Sequence, residues 1–508
     1  MGVIARQSIR GAIANYVGVV IGFFTTFFVL TDCLTQEEIG LTRVMVDAAM
    51  LFSGLAQLGT NASIIRFFPF FKSDDNTNHG IFGWSVLVPF VGFTLFAILF
   101  FCFKSTIVEV YSQKSPLFAN YVYLLLPMTF FALYLTVFET NASVLMHITV
   151  PKTVREVGIR VFNLVCYLLY GRGIISLDTF VLLFCMSYGV AMMINFFYLL
   201  SLGKISFKVD WRFMDKGRVK EMLMYTFFMT ATVLAGNIPL INSLFLGAKS
   251  GLALTGVYTI AFYIANIVEV PYRSLGAISA PVISQAVRNG DWNEVNRVGQ
   301  KVSLHQLLVS SLIFFFIWIN LEPLFMVIPH GAEYAGGMGV VFLLGLAKIV
   351  NSSLSISTNI LNYSSYYPAS LLFIALLTLS AIVFNQWLIP VWSINGAACA
   401  TLFSYLLYFA LVLGFVWQRL KVSVFSRKQI FVFVLIIALF ALNALFNGVM
   451  DLLGCVHASL TGTLAIAVVR TLFFCAVVYV AVRRMHVSPE VDKLLDRFRL
   501  RVRRGGRK

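Results

Sequence analysis

The sequence predicts an all-α polytopic membrane protein with about fourteen transmembrane helices. Of the 508 residues, 59% are hydrophobic and only 12% are charged, whereas charged residues make up about a quarter of an ordinary soluble domain. Apolar runs of about 20 residues, the length that crosses the hydrocarbon core as a helix, recur along the whole chain. These observations indicate that lipid is the solvent for most of the molecule.

Hydropathy windows place each predicted span along the chain. The first span follows Arg6 and Arg10 and lacks a small-residue cleavage pattern, so it is expected to stay in place as a signal anchor. The predicted spans are residues 11–31, 41–62, 81–103, 117–139, 153–171, 177–201, 222–247, 252–272, 302–320, 338–361, 368–388, 394–418, 429–449 and 462–482.

The 38 Lys and Arg residues indicate the orientation of these spans. Positive charge is retained on the cytoplasmic side during insertion, and alternate connecting segments carry most of it. The opposite, outward segments hold only Lys104, Lys114, Arg172 and Lys249. The pattern predicts a multi-pass membrane protein with both termini in the cytoplasm, and it explains the net charge of +16 without a nucleic-acid partner.

Basic cytoplasmic segments divide the spans into groups. Six spans precede the segment 202–221 and six more precede the segment 419–428, which predicts two six-helix lobes around a central cavity plus two C-terminal helices. A faint repeat supports this division, because Gly40 and Gly256 occupy corresponding positions in the second and eighth spans. The predicted domains are an N-terminal lobe (1–201), a cytoplasmic interlobe linker (202–221), a C-terminal lobe (222–418), helices 13 and 14 (419–482) and a basic cytoplasmic tail (483–508), for which anionic lipid head groups are the expected partners.

Ionisable residues at bilayer depth are costly and are therefore candidates for function. Lys348 lies about ten residues into its span, or about 15 Å deep at the helical rise, which is near the midplane. It is either a cavity cation that meets an anionic substrate or a member of a buried structural ion pair. Asn351, one turn further on, is expected to share its face.

Further candidates for the cavity lie in other spans. Arg43 and Asp47 are four residues apart, so they can pair on one helix face, either as a salt bridge that lets a polar helix insert or as part of a gate. Arg160, with Asn163 on the same span, and Asn237 could line the same cavity. Arg470, half way through the last span, needs a partner in the protein or a lipid phosphate.

Four charged residues at predicted inner ends of spans are gating candidates. Glu269 and Arg273 repeat the spacing of four at the inner end of the eighth span, and Arg66 and Glu139 end the second and fourth spans. Charged side chains near the interface reach water easily, so an ordinary snorkelling role competes with gating at each position.

The chain carries none of the common catalytic or ligand motifs. It has no His-Glu-x-x-His, no glycine-rich phosphate loop with its lysine and no Cys/His metal spacing. The outward loops are also too short to hold a catalytic domain. We therefore expect a transporter rather than an enzyme, without a cofactor or a metal.

Several segments resemble a known family. Glu37 to Leu41 with Leu58-Gly59 and Ile65 to Pro69 resembles the second span of the polysaccharide flippase branch of the multidrug/oligosaccharidyl-lipid/polysaccharide exporter superfamily. Gly256 to Tyr258, Pro281 to Ser284 and Asn289 to Asp291 resemble its eighth span and the surface segment that follows. Ile394 to Thr401 resembles the opening of its twelfth span.

The resemblance implies alternating access and export of an undecaprenyl-pyrophosphate-linked oligosaccharide from the cytoplasmic to the periplasmic leaflet, as part of polysaccharide or lipopolysaccharide biosynthesis. Glycan polymerase and assembly proteins would be further partners. A lipid II flippase and a cation-coupled multidrug exporter of the same fold remain alternatives, and Asp47 is the approximate candidate for a coupling carboxylate. A membrane-embedded glycan polymerase or transferase is the alternative from another class.

Overall fold

The computed structural model describes residues 17–73, 78–203, 206, 216–235, 238–452 and 460–485. Nearly all of these residues are helical, and none of them forms a β-strand. The prediction of an all-α fold is therefore confirmed. The order of the helices follows the order of the apolar runs in the sequence.

Eleven helices, numbered here in chain order, cover the first half of the chain. The first contains a π-helical stretch at Thr25–Leu30. They are α1 Val17–Cys33, α2 Gln36–Ala56, α3 Thr60–Phe71, α4 Ile81–Ser112, α5 Pro116–Tyr121, α6 Leu125–Val144, α7 Thr149–Thr153, α8 Ile159–Gly171, α9 Leu177–Ser201, α10 Lys216–Ala235 and α11 Ile238–Lys249.

Nine more helices follow in the second half. They are α12 Leu252–Asn266, α13 Val270–Arg288, α14 Trp292–Ile319, α15 Leu321–Val327, α16 Gly331–Tyr334, α17 Met338–Tyr363, α18 Tyr367–Leu420, α19 Arg427–Leu452 and α20 Leu460–Met485. Helix α18 is 54 residues long and contains a break at Ser393, where φ is 50°. This break separates the segments that were predicted as two spans, 368–388 and 394–418.

Each of the fourteen predicted spans overlaps a helix. Within the described part of the chain, ten helices are long and apolar enough to cross a membrane, and Val17–Cys33 is a shorter apolar helix. A polytopic membrane fold is thus confirmed, while the count of fourteen crossings remains a prediction.

The chain forms two compact units that do not follow sequence order. Unit 1 comprises Met1–Ala261, Ile328–Val340 and Leu371–Ser404. Unit 2 comprises Phe262–Val327, Val341–Ser370 and Tyr405–Lys508. The chain passes from one unit to the other inside α12, between α15 and α16, inside α17 and twice inside α18. The two six-helix lobes remain a prediction.

Each unit has one central helix. In unit 1, α2 packs against α4, α6 and α11, and α6 in turn packs along α9. In unit 2, α14 packs against α13, α19 and α20, and the buried Phe315 lies edge-to-face against Phe440 and Phe474. Aromatic pairs in this geometry add specific packing energy to the burial of apolar area.

Two glycines let the starts of α2 and α12 approach each other within unit 1. A Cβ atom added at Gly40 would overlap the backbone carbonyl of Leu252, and one added at Gly256 would overlap the carbonyl of Gln36. The two contacts are symmetric: Gly40 follows Gln36 by four residues, and Gly256 follows Leu252 by four residues. This reciprocal contact agrees with the repeat that the two positions indicate in the sequence.

Candidate functional site

Lys348, which the sequence places near the membrane midplane, forms a buried ion pair within unit 2. Its Nζ donates to Oε2 of Glu269 at 3.0 Å, and Nδ2 of Asn351 donates to Oε1 of the same carboxylate at 2.7 Å. The ammonium also lies over the ring of Phe262, 5.4 Å from its centroid. Both charged side chains are buried, so the carboxylate offsets the cost of placing the ammonium away from water.

A 3₁₀ stretch within the helical path positions Glu269. Helix α12 ends at Asn266, a 3₁₀ turn covers Ile267–Glu269, and α13 begins with Pro271 in its first turn. Proline lacks a backbone N–H and suits the first turn of a helix, where that donor would have no partner. Short 3₁₀ stretches within a helical path often mark hinges.

The partners of Glu269 lie on α17, where they share a continuous polar face. Lys348, Asn351, Ser352 and Ser355 occupy positions i, i+3, i+4 and i+7, which follow one side of an α-helix. The side chain of Ser352 is fully buried, and its Oγ has no hydrogen-bond partner among the described residues. The stripe therefore presents a cation, an amide and a hydroxyl in close succession.

These contacts partly resolve the alternatives that the sequence leaves open. Asn351 shares the face of Lys348 as predicted, and Lys348 belongs to an ion pair. Glu269 contacts Lys348 and so lies at its level in the fold. The side chain of Arg273 lies outside the described residues, and the roles of all four residues in substrate binding or gating remain predictions.

A second buried ion pair lies in unit 1. Nε of Arg43 donates to Oδ2 of Asp47 at 2.5 Å, which confirms that the two residues pair across one turn of α2. Ser243 on α11 donates its hydroxyl to the same carboxylate oxygen at 2.6 Å. The pair therefore connects α2 to α11 as well as stabilising α2 itself.

Next to Ser243 is a buried amide cluster that sequence reasoning missed. Nδ2 of Asn242 donates to the hydroxyls of Tyr258, at 2.9 Å, and Thr401, at 2.6 Å. Asn385 donates to Oδ1 of Asn242 at 2.8 Å. These residues come from α11, α12 and α18 and carry no charge. Asn242 and Asn385, which lie inside apolar runs, could have indicated this cluster in the sequence, because a polar side chain in a membrane must find hydrogen-bond partners.

The remaining cavity candidates are found near α1 and α8. Arg160 donates to Glu156 at 3.2 Å and to the backbone carbonyl of Gly18. Asn163 is buried, and its Oδ1 has no partner among the described residues. Asn237 lies outside the described residues.

The other two gating candidates form ion pairs with groups from elsewhere in unit 1. Arg66 on α3 lies 3.8 Å from Glu221 and 4.4 Å from the ring centroid of Tyr225, both on α10. Glu139 on α6 accepts a hydrogen bond from Arg155 at 2.6 Å. Whether either pair acts as a gate remains a prediction.

Arg470 has protein partners in unit 2. Its guanidinium donates to the backbone carbonyl of Ile319, the last residue of α14, and to Oδ1 of Asn447 at 3.3 Å. The last carbonyls of a helix lack intrahelical donors and carry partial negative charge. A cation at this helix end is therefore stabilised by the protein itself.

The described residues contain no group of three or more His, Cys, Asp or Glu side chains that could hold a metal ion. Apart from the paired carboxylates of Asp47 and Glu269, the buried polar side chains described above are cations, amides and hydroxyls. Such groups donate hydrogen bonds to phosphate oxygens and sugar hydroxyls.

Sequence comparison identifies one family. A family model described as "Polysaccharide biosynthesis protein" matches residues 7–287, more than half of the chain. None of the curated proteins matches the sequence significantly.

Solved structures with the same fold are transporters. The lipid II flippase MurJ in an inward closed conformation has a TM-score of 0.68 and 11% identity, covering 93% of this chain and 99% of its own. An inward-facing multidrug resistance MATE family transporter of the MOP superfamily has a TM-score of 0.59 and 13% identity, covering 82% and 98%. A MOP superfamily transporter from Pyrococcus furiosus has a TM-score of 0.53 and 14% identity, covering 82% and 95%. At these identities the likeness shows the fold.

Proposed function

Because this chain belongs to the polysaccharide biosynthesis protein family, we propose that it flips an undecaprenyl-pyrophosphate-linked oligosaccharide from the cytoplasmic to the periplasmic leaflet of the bacterial inner membrane. The match of that family model over more than half of the chain is the observation that carries the proposal. The MOP transporter fold supports it, since this fold occurs in MurJ, a lipid II flippase.

The chemistry of the substrate explains why a protein is needed. A pyrophosphate and its sugars must cross about 30 Å of hydrocarbon, and an isolated charge in that medium costs several kcal/mol or more. Lys348 and Asn351 present two donors suited to phosphate oxygens. We assign the first contact with the pyrophosphate to these two residues.

Movement would occur by alternating access between two six-helix lobes. The close approach of α2 and α12 at Gly40 and Gly256 supports this mechanism, since the sequence places both helix starts on the outward side. We propose that separation of these helix starts opens the outward path. The basic tail, 483–508, would bind anionic lipid heads on the cytoplasmic side.

Lipid II flipping is the second candidate. The MurJ structure covers 93% of this chain, whereas the MATE structure covers 82%, so the likeness to MurJ extends over more of the chain. Deletion of the gene distinguishes the candidates. Accumulation of a lipid-linked surface glycan on the inner leaflet supports the proposal, accumulation of lipid II supports the second candidate, and drug sensitivity with normal glycans supports a multidrug exporter.

Substitution of Lys348 tests the proposed contact. We expect Lys348→Ala to abolish surface glycan export in a deletion strain, because it removes the cation near the midplane that we assign to the pyrophosphate. Export is measured per amount of protein inserted in the membrane. Lys104→Ala, which removes an exposed lysine of α4, is the matched control and should export normally. Full complementation by Lys348→Ala would refute the assignment.

A further inference from the structure

The ammonium of Lys348 has capacity for further ligands. An ammonium carries three N–H donors, and among the described residues this one makes a single hydrogen bond, to Glu269. The ammonium also lies over the ring of Phe262, whose π-face attracts a cation without accepting a conventional hydrogen bond. An additional oxygen ligand could therefore be bound without breaking the helix that carries Lys348.

Glu269 accepts hydrogen bonds from the two donors, Lys348 and Asn351, that we assign to a phosphate group of the substrate. Its two carboxylate oxygens accept separately from Lys348 and Asn351, at 3.0 Å and 2.7 Å. A phosphate group also offers several anionic oxygens at similar spacing. Ser352, adjacent on the same face of α17, has a buried hydroxyl without a partner among the described residues.

The acceptor Glu269 and the donors Lys348 and Asn351 lie in different kinds of backbone structure. Lys348 and Asn351 lie within the continuous helix α17, whereas Glu269 is the last residue of the 3₁₀ turn between α12 and α13. Because hydrogen bonds in a 3₁₀ stretch have poorer geometry than in an α-helix and such stretches often act as hinges, the carboxylate can withdraw while the donors stay in place.

We propose that Glu269 is an internal counter-ion that holds Lys348 and Asn351 until a diphosphate group of the substrate displaces it. This inference rests on the proposed function, because it assumes an anionic lipid-linked substrate. The exchange is non-covalent: the carboxylate gives up two hydrogen bonds, and phosphate oxygens accept them. Glu269 thus makes entry selective for an anionic head group, since a neutral ligand cannot replace its charge.

Binding of a soluble lipid diphosphate tests the exchange. Farnesyl diphosphate and the neutral alcohol farnesol are titrated into the purified full chain in nanodiscs. We expect Glu269→Gln to bind farnesyl diphosphate about tenfold or more tightly than the wild type, because apparent affinity is reduced by the fraction of sites that the internal carboxylate occupies. Farnesol should bind both proteins alike, and Lys348→Gln should lose the preference for the diphosphate.

Two further variants make the result decisive. Glu269→Asp keeps the charge but shortens the side chain by one methylene, so its affinity should fall between those of the wild type and Glu269→Gln. Glu294→Gln breaks an exposed ion pair with Arg297 and should bind as the wild type does. Protein stability is followed by thermal unfolding of each variant, so that affinity is compared only between folded proteins.

The possible failures separate from one another. If the wild type prefers the diphosphate through Lys348 but neither Glu269 variant binds it more tightly, the counter-ion exchange is wrong and the proposed function stands. If no protein prefers farnesyl diphosphate to farnesol, and deletion of the gene causes no accumulation of a lipid-linked surface glycan on the inner leaflet, both the exchange and the proposed function are wrong.

Discussion

At the scale of single residues, the charges buried in this protein are neutralised in different ways. Arg43 and Asp47 lie on the same helix, Lys348 and Glu269 come from different helices, and Arg470 uses a helix terminus. In each case a nearby group of opposite charge or dipole offsets the loss of hydration. The local pair was predictable from its spacing, whereas the other two arrangements were not.

Substitution of Asp47 should reveal how strongly its pair depends on charge balance. Asp47→Asn leaves the guanidinium of Arg43 without a carboxylate and weakens the hydrogen bond from Ser243. We expect it to lower the free energy of unfolding by about 3 kcal/mol, measured as a lower Tm of the purified protein in detergent.

A second substitution separates charge from packing. Arg43→Met together with Asp47→Asn removes the unbalanced charge and should recover much of the lost stability. The exposed pair provides the control, since Glu294→Gln should leave the Tm unchanged. An unaltered Tm in Asp47→Asn would show that the stabilisation by the Arg43–Asp47 pair does not require an ionised carboxylate.

At the scale of helices, small residues and helix ends determine which elements can meet. Gly40 and Gly256 allow backbone contact between α2 and α12, as small residues do where membrane helices cross closely. Arg470 connects α20 to the end of α14. The non-helical backbone at Ser393 divides the 54-residue helix α18 into two consecutive helical segments.

Alanine at either glycine of the crossing should separate α2 from α12. We expect Gly40→Ala and Gly256→Ala each to lower the free energy of unfolding by about 1–3 kcal/mol, because the added methyl group overlaps a backbone carbonyl. Thermal unfolding measures the stability change, and surface glycan export measures its effect on the proposed cycle.

Gly448 provides the matched control. It lies inside α19, and none of the described residues beyond its own stretch of helix comes within 4 Å of a Cβ atom added there, so Gly448→Ala should be neutral or slightly stabilising through its higher helix propensity. Similar losses of stability at all three positions would mean that the crossing has no special packing requirement.

At the scale of the whole molecule, topology follows from where positive charge is placed. The helices account for each predicted span, but they do not by themselves decide which of them cross the membrane. The Lys and Arg distribution predicts that both termini and the segment after α9 are cytoplasmic, and that the segment after α4 is periplasmic.

Thiol labelling of a cysteine-free variant tests this topology. A membrane-impermeant maleimide should modify Ser112→Cys in intact spheroplasts, because Ser112 is exposed at the end of α4. Ser201→Cys, exposed at the end of α9, and Ser488→Cys in the tail should react only after lysis. Labelling of Ser488→Cys in intact spheroplasts would contradict the predicted cytoplasmic C-terminus.

The sequence by itself determined the class of protein, the positions of its helices and the expected orientation. Hydropathy and charge act over one span at a time, so a local pattern is sufficient for these features. The pairing of Arg43 with Asp47 was also predictable from the local sequence, because the two residues are one helical turn apart.

Only the tertiary structure decided how residues from different helices meet. Glu269 is 79 residues from Lys348 in sequence, and the amide cluster around Asn242 draws on three helices. Such contacts depend on the rotation and depth of each helix, which interhelical packing sets. Hydropathy marks a polar residue as costly in lipid, but it does not identify the partner that offsets the cost.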